Sequence, residues 1–308
     1  TMVIFLAPLL ALASAWGVNR QTSFITEARE NLPFHETRMF DSLAEGPRTE
    51  YLAQMDIIHT DGQHGLCSLD QFSTIKDSRP CLELATQEFV GAATPLVLIL
   101  GDSHGRDMFQ TLGYAFTDAN LVMLHQSSCA PAGYSPWATR NCFPDLQDEL
   151  PAVLADVQPD LVVLAAHWPL TSIAPTQQTL DILSKWGGAI AIIGPAPEFE
   201  SSTVSILQGL GVSYADLTPD VRLPARFAFD VFAARDALAD MAKDDDIYVY
   251  DRLSVLCNPD GCLAFVPDRD LALMNWDNQH LTPAGMQFLA ADMQTNQELL
   301  DLMSAKRP

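Results

Sequence analysis

Residues 95–107 read PLVLILGDSHGRD. The apolar run from Leu96 to Leu100 stops at Gly101, and the polar residues after it open into an amphipathic stretch of helix length. An unbroken apolar run bounded by turn residues is the mark of a strand buried on both faces of a parallel sheet. The same pattern recurs at Leu121–Leu124 (LVML), Leu161–Ala165 (LVVLA), Ala189–Ile193 (AIAII) and Ile247–Tyr250 (IYVY). Helix-length segments lie between these runs, near 105–117, 145–156, 176–186, 200–209 and 227–242. This alternation predicts an α/β chain, a three-layer α/β/α sandwich around a five-stranded parallel sheet. The last helix is well signalled: Thr282 caps it, Pro283 stands where a missing N–H costs nothing, and Met286, Leu289, Ala290 and Met293 form one apolar face.

The 308 residues carry 17 Lys+Arg against 39 Asp+Glu, a formal charge of −22, with 48% hydrophobic and 18% charged residues. Such a chain can bury a sizeable core. Its charge repels phosphate backbones and anionic lipid head groups, and no Lys/Arg cluster offsets that locally, which excludes a nucleic-acid partner. The charge run Asp244-Asp245-Asp246 reads as the solvated approach to the fifth strand rather than as a metal site.

Met2 to Val18, MVIFLAPLLALASAWGV, contains no charged residue. The run is at the short end of what spans a bilayer, and Ala13-Ser14-Ala15 resembles a small-residue cleavage site without a basic segment before it. With Thr1 at its head, the run reads as the end of a transmembrane helix of a longer polypeptide. A truncated signal peptide and a buried N-terminal helix are the alternatives. Membrane contact through residues 2–18 puts the remainder outside the cytoplasm. Residues 1–19 are accordingly assigned to a transmembrane helix or signal anchor, 20–90 to a linker with a disulfide-pinned extension, and 91–308 to the α/β domain. The middle stretch reads as irregular, with turn signals at Asn31-Leu32-Pro33, Glu45-Gly46-Pro47 and Asp61-Gly62.

Cysteines stand at 67, 81, 129, 142, 257 and 262. Six allow 15 connectivities, but the sequence-local pairs Cys67–Cys81, Cys129–Cys142 and Cys257–Cys262 each close a short loop of the kind that oxidised extracytoplasmic proteins pin. Six reduced thiols in a cytosolic protein are the alternative. No C-x-x-C occurs, so zinc is a poor reading, and nothing in the chain calls for a metal or a cofactor.

Ser103 follows the first strand and opens a helix, at the sheet edge where ligands of open α/β proteins bind. Free N–H groups and the positive end of the helix dipole surround a residue there, which suits a nucleophile whose reaction develops an oxyanion. Taken alone, Gly-Asp-Ser is also an ordinary turn and cap. The second feature is Asp277-Asn278-Gln279-His280, ahead of the capped final helix. A serine hydroxyl needs a base to take its proton, and the base needs a partner that fixes its tautomer; Asp-x-x-His supplies both. Asp102 reads as a turn residue that accepts backbone hydrogen bonds, His104 and Arg106 as solvated first-turn residues or substrate contacts, and His125 as structural.

These blocks resemble the SGNH hydrolase superfamily, with Gly101-Asp102-Ser103 as its first motif and Asp277-x-x-His280 as its last. The resemblance is strongest to the extracytoplasmic SGNH domain fused behind membrane O-acyltransferases of the acyltransferase-three type. It is carried by LVLILGDSHGRD, Ser-Ser-Cys-Ala-Pro at 127–131, LVVLAAHW at 161–168, the Cys257/Cys262 pair and DNQHLTPAG at 277–285, and covers about residues 60–304. It implies an SGNH/flavodoxin-like fold with Ser103 as nucleophile, His280 as general base and acid, and Asp277 orienting His280. The oxyanion hole departs from the family pattern, because Ala166-His167-Trp168 stands where many relatives carry an asparagine. Gly133 is then the candidate second donor beside the Ser103 N–H, and Trp168 either stacks on a sugar ring or packs in the core. The implied activity is O-acetyl transfer to a cell-envelope polysaccharide, with a fused or adjacent membrane unit handing over the acyl donor and a glycan accepting it. The site would face the periplasm from the bacterial inner membrane. A carbohydrate esterase with the same triad is the runner-up, and a glycan-binding domain that lost turnover is the third reading.

Overall fold

The computed structural model describes residues 34–60, 65–72, 74–87, 94–132, 142–225, 227–228, 230–243 and 247–304. In chain order the first elements are α1 (Phe34–Thr60), β1 (Leu66–Ser68), α2 (Ile75–Gln87), β2 (Leu96–Gly101), α3 (Ser103–Ala115), β3 (Asn120–His125) and α4 (Leu146–Val157). They are followed by β4 (Leu161–Ala165), α5 (Leu170–Trp186), β5 (Ala189–Ile193), α6 (Thr203–Gly209), β6 (Arg222–Leu223), α7 (Val231–Lys243), β7 (Tyr248–Tyr250), α8 (Arg252–Leu256), β8 (Cys257–Asn258), β9 (Gly261–Leu263), α9 (Pro283–Met293) and α10 (Gln297–Ser304).

The main sheet is parallel throughout, in the order β1-β3-β2-β4-β5-β7. It has six strands where the sequence predicts five. The sixth, β1, is too short to show a periodicity, and it lies in the stretch read as linker; it pairs with β3 in the register Cys67↔Leu124. All residues of β2 and β4 are buried, as strands covered on both faces require. Leu98, Leu100, Val162, Leu164 and Ile192 turn to one side, under α2, α4, α5 and α7. Val97, Ile99, Leu161, Val163 and Ile193 turn to the other, under α3, α9 and α10. The three layers are those expected.

The chain steps from β2 out to β3 and then back across β2 to β4, so the strand order reverses at β2. Loops on the two sides part there, and the carboxyl end of β2 faces the resulting crevice. A small lobe sits beside this edge: the antiparallel sheet β6-β9-β8 and a cluster of Phe40, Phe199, Leu207, Leu223 and Phe265. Its strands are two or three residues long, which is below what a sequence pattern can reveal.

The reading of 20–90 as irregular fails where this stretch is described, since α1 and α2 are helices and the Glu45-Gly46-Pro47 signal falls inside α1. Packing overrides the weak local preference: Phe40 is buried in the small lobe and Tyr51 against the main core. The turn signals at 31–33 and 61–62, the run 244–246 and the apolar leader 2–18 lie outside the described residues. All three cysteine pairs are disulfides, Cys67–Cys81, Cys129–Cys142 and Cys257–Cys262. The first ties β1 to α2, and the third joins directly opposed residues of β8 and β9.

Two glycines explain how α3 packs so closely on the sheet. A Cβ at Gly101 would stand 1.8 Å from the Ala165 carbonyl oxygen, and one at Gly105 2.5 Å from the same atom. Gly101→Ala is therefore expected to cost more than about 3 kcal/mol of stability, read as a lower urea midpoint. Removing Cys67–Cys81 by paired Cys→Ala substitution should cost about 3 kcal/mol in the same measurement.

Candidate active site

The site is assembled from the turn after β2, the turn after β4 and the loop before α9. Asp102 caps α3: its Oδ1 accepts from the His104 N–H at 2.9 Å. The same carboxylate accepts from the His167 N–H at 3.1 and 3.0 Å, so one side chain joins the ends of two adjacent strands. Burial raises its pKa despite these donors and the nearby His167. Asp102 thus takes the turn-holding role read from the sequence, and Ser103 follows it as the first residue of α3.

His280 arrives from the opposite side. Asp277 Oδ1 accepts from the N–H groups of Gln279 (2.8 Å) and His280 (2.7 Å), folding Asp277–His280 into a tight turn. This leaves Asp277 Oδ2 2.7 Å from His280 Nδ1, and His280 Nε2 lies 2.9 Å from Ser103 Oγ. The three residues singled out in the sequence, 174 positions apart at the widest loop between Ser103 and Asp277, form one hydrogen-bonded line, carboxylate to imidazole to hydroxyl. Trp276 stacks on His280 with ring centres 5.7 Å apart and planes at 13°.

Sequence reasoning missed a second carboxylate beneath this line. Asp107, one turn along α3 from Ser103, is buried; its Oδ2 accepts from the Leu281 N–H and its Oδ1 from the Tyr51 hydroxyl, each at 3.0 Å. The i,i+4 spacing of Ser103 and Asp107 on one helix face was a readable signal. Nothing marked Tyr51, because α1 was read as irregular. Tyr51 also packs against Trp276 at 5.3 Å, and Arg48 of the same helix lies 6.0 Å from the Trp276 ring. Arg252 is also buried, and its Nε donates to the Gly194 carbonyl at 2.7 Å. Burial lowers its pKa to about 10, against the pull of Asp107 and Asp102, so it stays cationic at neutral pH.

Other sequence candidates resolve less favourably. Trp168 is fully buried and its indole N–H donates to the Ile193 carbonyl at 2.8 Å, so it is core and has no face for a sugar. Gly133 lies outside the described residues. His104 is buried rather than solvated, with Nε2 3.4 Å from Gln279 Oε1. Arg106 stays partly exposed on α3. His125 is buried in the sheet edge with Nδ1 3.1 Å from Ser68 Oγ, a structural place. Among the described residues no cluster of His, Cys, Asp and Glu is arranged to hold a metal ion.

The parallel sheet with a serine at its switch point defines an SGNH hydrolase-type fold. The model of the family described as "SGNH domain (fused to AT3 domains)" matches residues 67–295, most of the chain, and the protein belongs to that family. Among solved structures, the periplasmic domain of a Salmonella ser. Paratyphi A lipopolysaccharide acetyltransferase is similar, with TM-score 0.56 and 20% identity over 76% of this chain and 92% of that one. A carbohydrate acetylesterase family member from Sinorhizobium meliloti follows at TM-score 0.41 and 15% identity, covering 68% of this chain and 99% of that one. Comparison with curated protein sequences finds no match.

Burial alone would lower the pKa of His280, but the hydrogen bond to Asp277 and the charges of Asp107, Asp277 and Asp102 outweigh it and hold His280 above its ordinary 6.5. Asp107 is raised by burial to about 6. Asp277, although burial opposes it, is held below 3.8 by His280. Groups with raised pKa contribute stability below their unfolded values and lose it as pH climbs through the folded ones. Asp107 therefore makes the protein less stable as pH rises from about 4 to about 6, and His280 does so from about 6.5 upward through its raised value, while the Asp277 contribution is lost only in acid. Thermal unfolding should show that fall, and Asp107→Asn should flatten it. NMR titration should place His280 above 6.5 in the wild type and lower in Asp107→Asn, because the carboxylate charge is gone.

Proposed function

We propose that this domain is an extracytoplasmic serine acyl-transfer enzyme that moves an acetyl group onto a cell-envelope polysaccharide through an acyl-Ser103 intermediate. The observation that carries the reading is the line Asp277–His280–Ser103, with hydrogen-bond separations of 2.7 and 2.9 Å. His280 Nε2 is in reach of the Ser103 proton, and Asp277 on Nδ1 fixes the tautomer that leaves Nε2 free to accept it. Ser103 Oγ attacks the donor carbonyl as His280 takes its proton; His280 then protonates the leaving group. In the second half an acceptor hydroxyl gives its proton to His280 and attacks the acyl carbon, and His280 returns the proton to Ser103 Oγ.

The oxyanion needs donors fixed before the reaction. The Ser103 N–H, in the first turn of α3, is one, and Gly133 remains a candidate second. The His167 N–H is committed to Asp102 and contributes none. Support for the acetyl donor and the extracytoplasmic side comes from the family description, which notes fusion to AT3 domains, and from a fold shared with a periplasmic acetyltransferase domain. Among the described residues no helix is long and apolar enough to cross a membrane; the uncharged run 2–18 is the membrane contact of this reading. The assembled hydrogen-bonded line favours turnover over a binding-only domain. If water outcompetes the glycan at acyl-Ser103, the same residues make a carbohydrate esterase.

Wild-type protein should hydrolyse a chromogenic acetyl ester, and Ser103→Ala and His280→Ala should each lose about a thousandfold or more of kcat/KM. Asp277→Asn should lose less. Ser103→Ala with wild-type turnover, or a folded wild type with none, would overturn the reading. Mass spectrometry of the quenched enzyme should find one acetyl group on the peptide containing Ser103.

A further inference from the structure

A second imidazole–carboxylate pair stands at the same sheet edge and takes no part in the chemistry above. His167 follows β4, Glu198 follows β5, and His167 Nε2 is 2.5 Å from Glu198 Oε2. Backbone contacts place both residues relative to the reacting line. The His167 N–H is held by Asp102, the residue before Ser103. Phe199, next to Glu198, donates its N–H to the Asn278 carbonyl at 2.9 Å, and Asn278 Nδ2 donates to the Phe199 carbonyl at 3.2 Å, so the Glu198 loop is bridged to the loop of Asp277. The Glu198 carbonyl is itself tied down by the Ala228 N–H at 2.8 Å.

Three imidazoles follow one another across the site. His104 lies 5.2 Å from His280 and 5.5 Å from His167, centre to centre. One end of the row is held by Asp277 and the other by Glu198. His104, the middle member, is buried and kept neutral, its pKa pushed down by desolvation and then by the neighbouring His280 and His167. The outer pair is different: the side chains of His167 and Glu198 are 15% and 13% exposed, no less open than His280 at 13%. Both side chains thus keep some solvent-facing surface beside His280, while the two atoms that face each other, His167 Nε2 and Glu198 Oε2, are buried. Carboxylate oxygens accept from hydroxyl groups, and an imidazole accepts or donates according to its tautomer, so the pair suits a ligand that carries several hydroxyls.

We infer that His167 and Glu198 form the acceptor subsite, holding one hydroxyl of a sugar while a second hydroxyl of the same sugar attacks acyl-Ser103. This rests on the acyl-serine reading. In the transfer the attacking O–H proton passes to His280 Nε2, its oxygen bonds to the acyl carbon, the bond from that carbon to Ser103 Oγ breaks, and Oγ recovers the proton from His280. His167 and Glu198 exchange no proton. They bind and orient, and they act against water, which has no second hydroxyl to be held. Orientation of the attacking group then favours transfer over hydrolysis.

The test is a partition experiment on the full 308-residue chain. With a chromogenic acetyl ester as donor, acetylated methyl glucoside, methyl acetate and acetate are counted when methyl glucoside or methanol is added. All three products drain one intermediate, so their ratios do not depend on the rate of acylation or on the fraction of protein that is folded. Wild type should acetylate methyl glucoside in preference to methanol at equal concentration. Glu198→Gln and His167→Ala should lower the glucoside-to-acetate ratio roughly tenfold, the loss expected for one charge-assisted hydrogen bond, and leave the methanol-to-acetate ratio at its wild-type value. A wild type with no preference for the glucoside, variants with an unaltered glucoside ratio, or an equal fall in both ratios would overturn the subsite. Failure of the acyl-serine reading looks different, since Ser103→Ala would then turn over the ester like wild type.

Discussion

Asp102 does for this site what a keystone does for two arches. A buried carboxylate is costly unless it is hydrogen-bonded, and this one is met by the backbone N–H groups of His104 and His167, with the cation of Arg252 close enough to act on it. The geometry that follows is obligatory. Ser103 is fixed at the start of α3 because the preceding residue caps that helix, and the turn after β4 is fixed to the same point because its own N–H ends there. Gly101 and Gly105 let this happen at short range, since both lie against the Ala165 carbonyl where a side chain would push helix and strand apart.

Around this anchor the charges divide by function. Asp277 faces His280 along its hydrogen bond, and Asp107 approaches the same loop through the Leu281 N–H. The first sets direction; the second adds field without touching the ring nitrogens. Tyr51 completes the arrangement by donating a hydrogen bond to Asp107, so a helix far upstream in the chain helps hold the carboxylate beneath Ser103 and His280. A site built this way couples the basicity of His280 to the packing of α1, and not only to its neighbours in sequence.

How much of this could be read from the sequence follows from the length of each signal. The strands at 96–100, 161–165 and 189–193 were legible because strands buried on both faces leave unbroken apolar runs, and the helix after Thr282 because cap, proline and apolar face coincide. Ser103, Asp277 and His280 were legible because Gly-Asp-Ser and Asp-x-x-His sit at a strand end and a helix start. The strand at Leu66–Ser68 was lost to its brevity, and α1 to a Gly-Pro pair that tertiary packing overrides. Trp168 shows the limit of reading by position: the sequence put an aromatic at the active edge, but burial and the bond to Ile193 decide that it faces inward. Glu198 carries no motif at all, and only the crossing of two loops brings it to His167.

The long helix α1 has a consequence for what counts as the unit. It is buried at Phe40 in the small lobe and at Tyr51 beside the Asp277–His280 loop, and the residues between span about 16 Å of helix. The sequence block shared with the family starts at residue 67, beyond that helix. A protein cut to that matched block would keep Ser103, Asp277 and His280 while losing Tyr51, the hydrogen-bond donor to Asp107 that lies against the His280 ring.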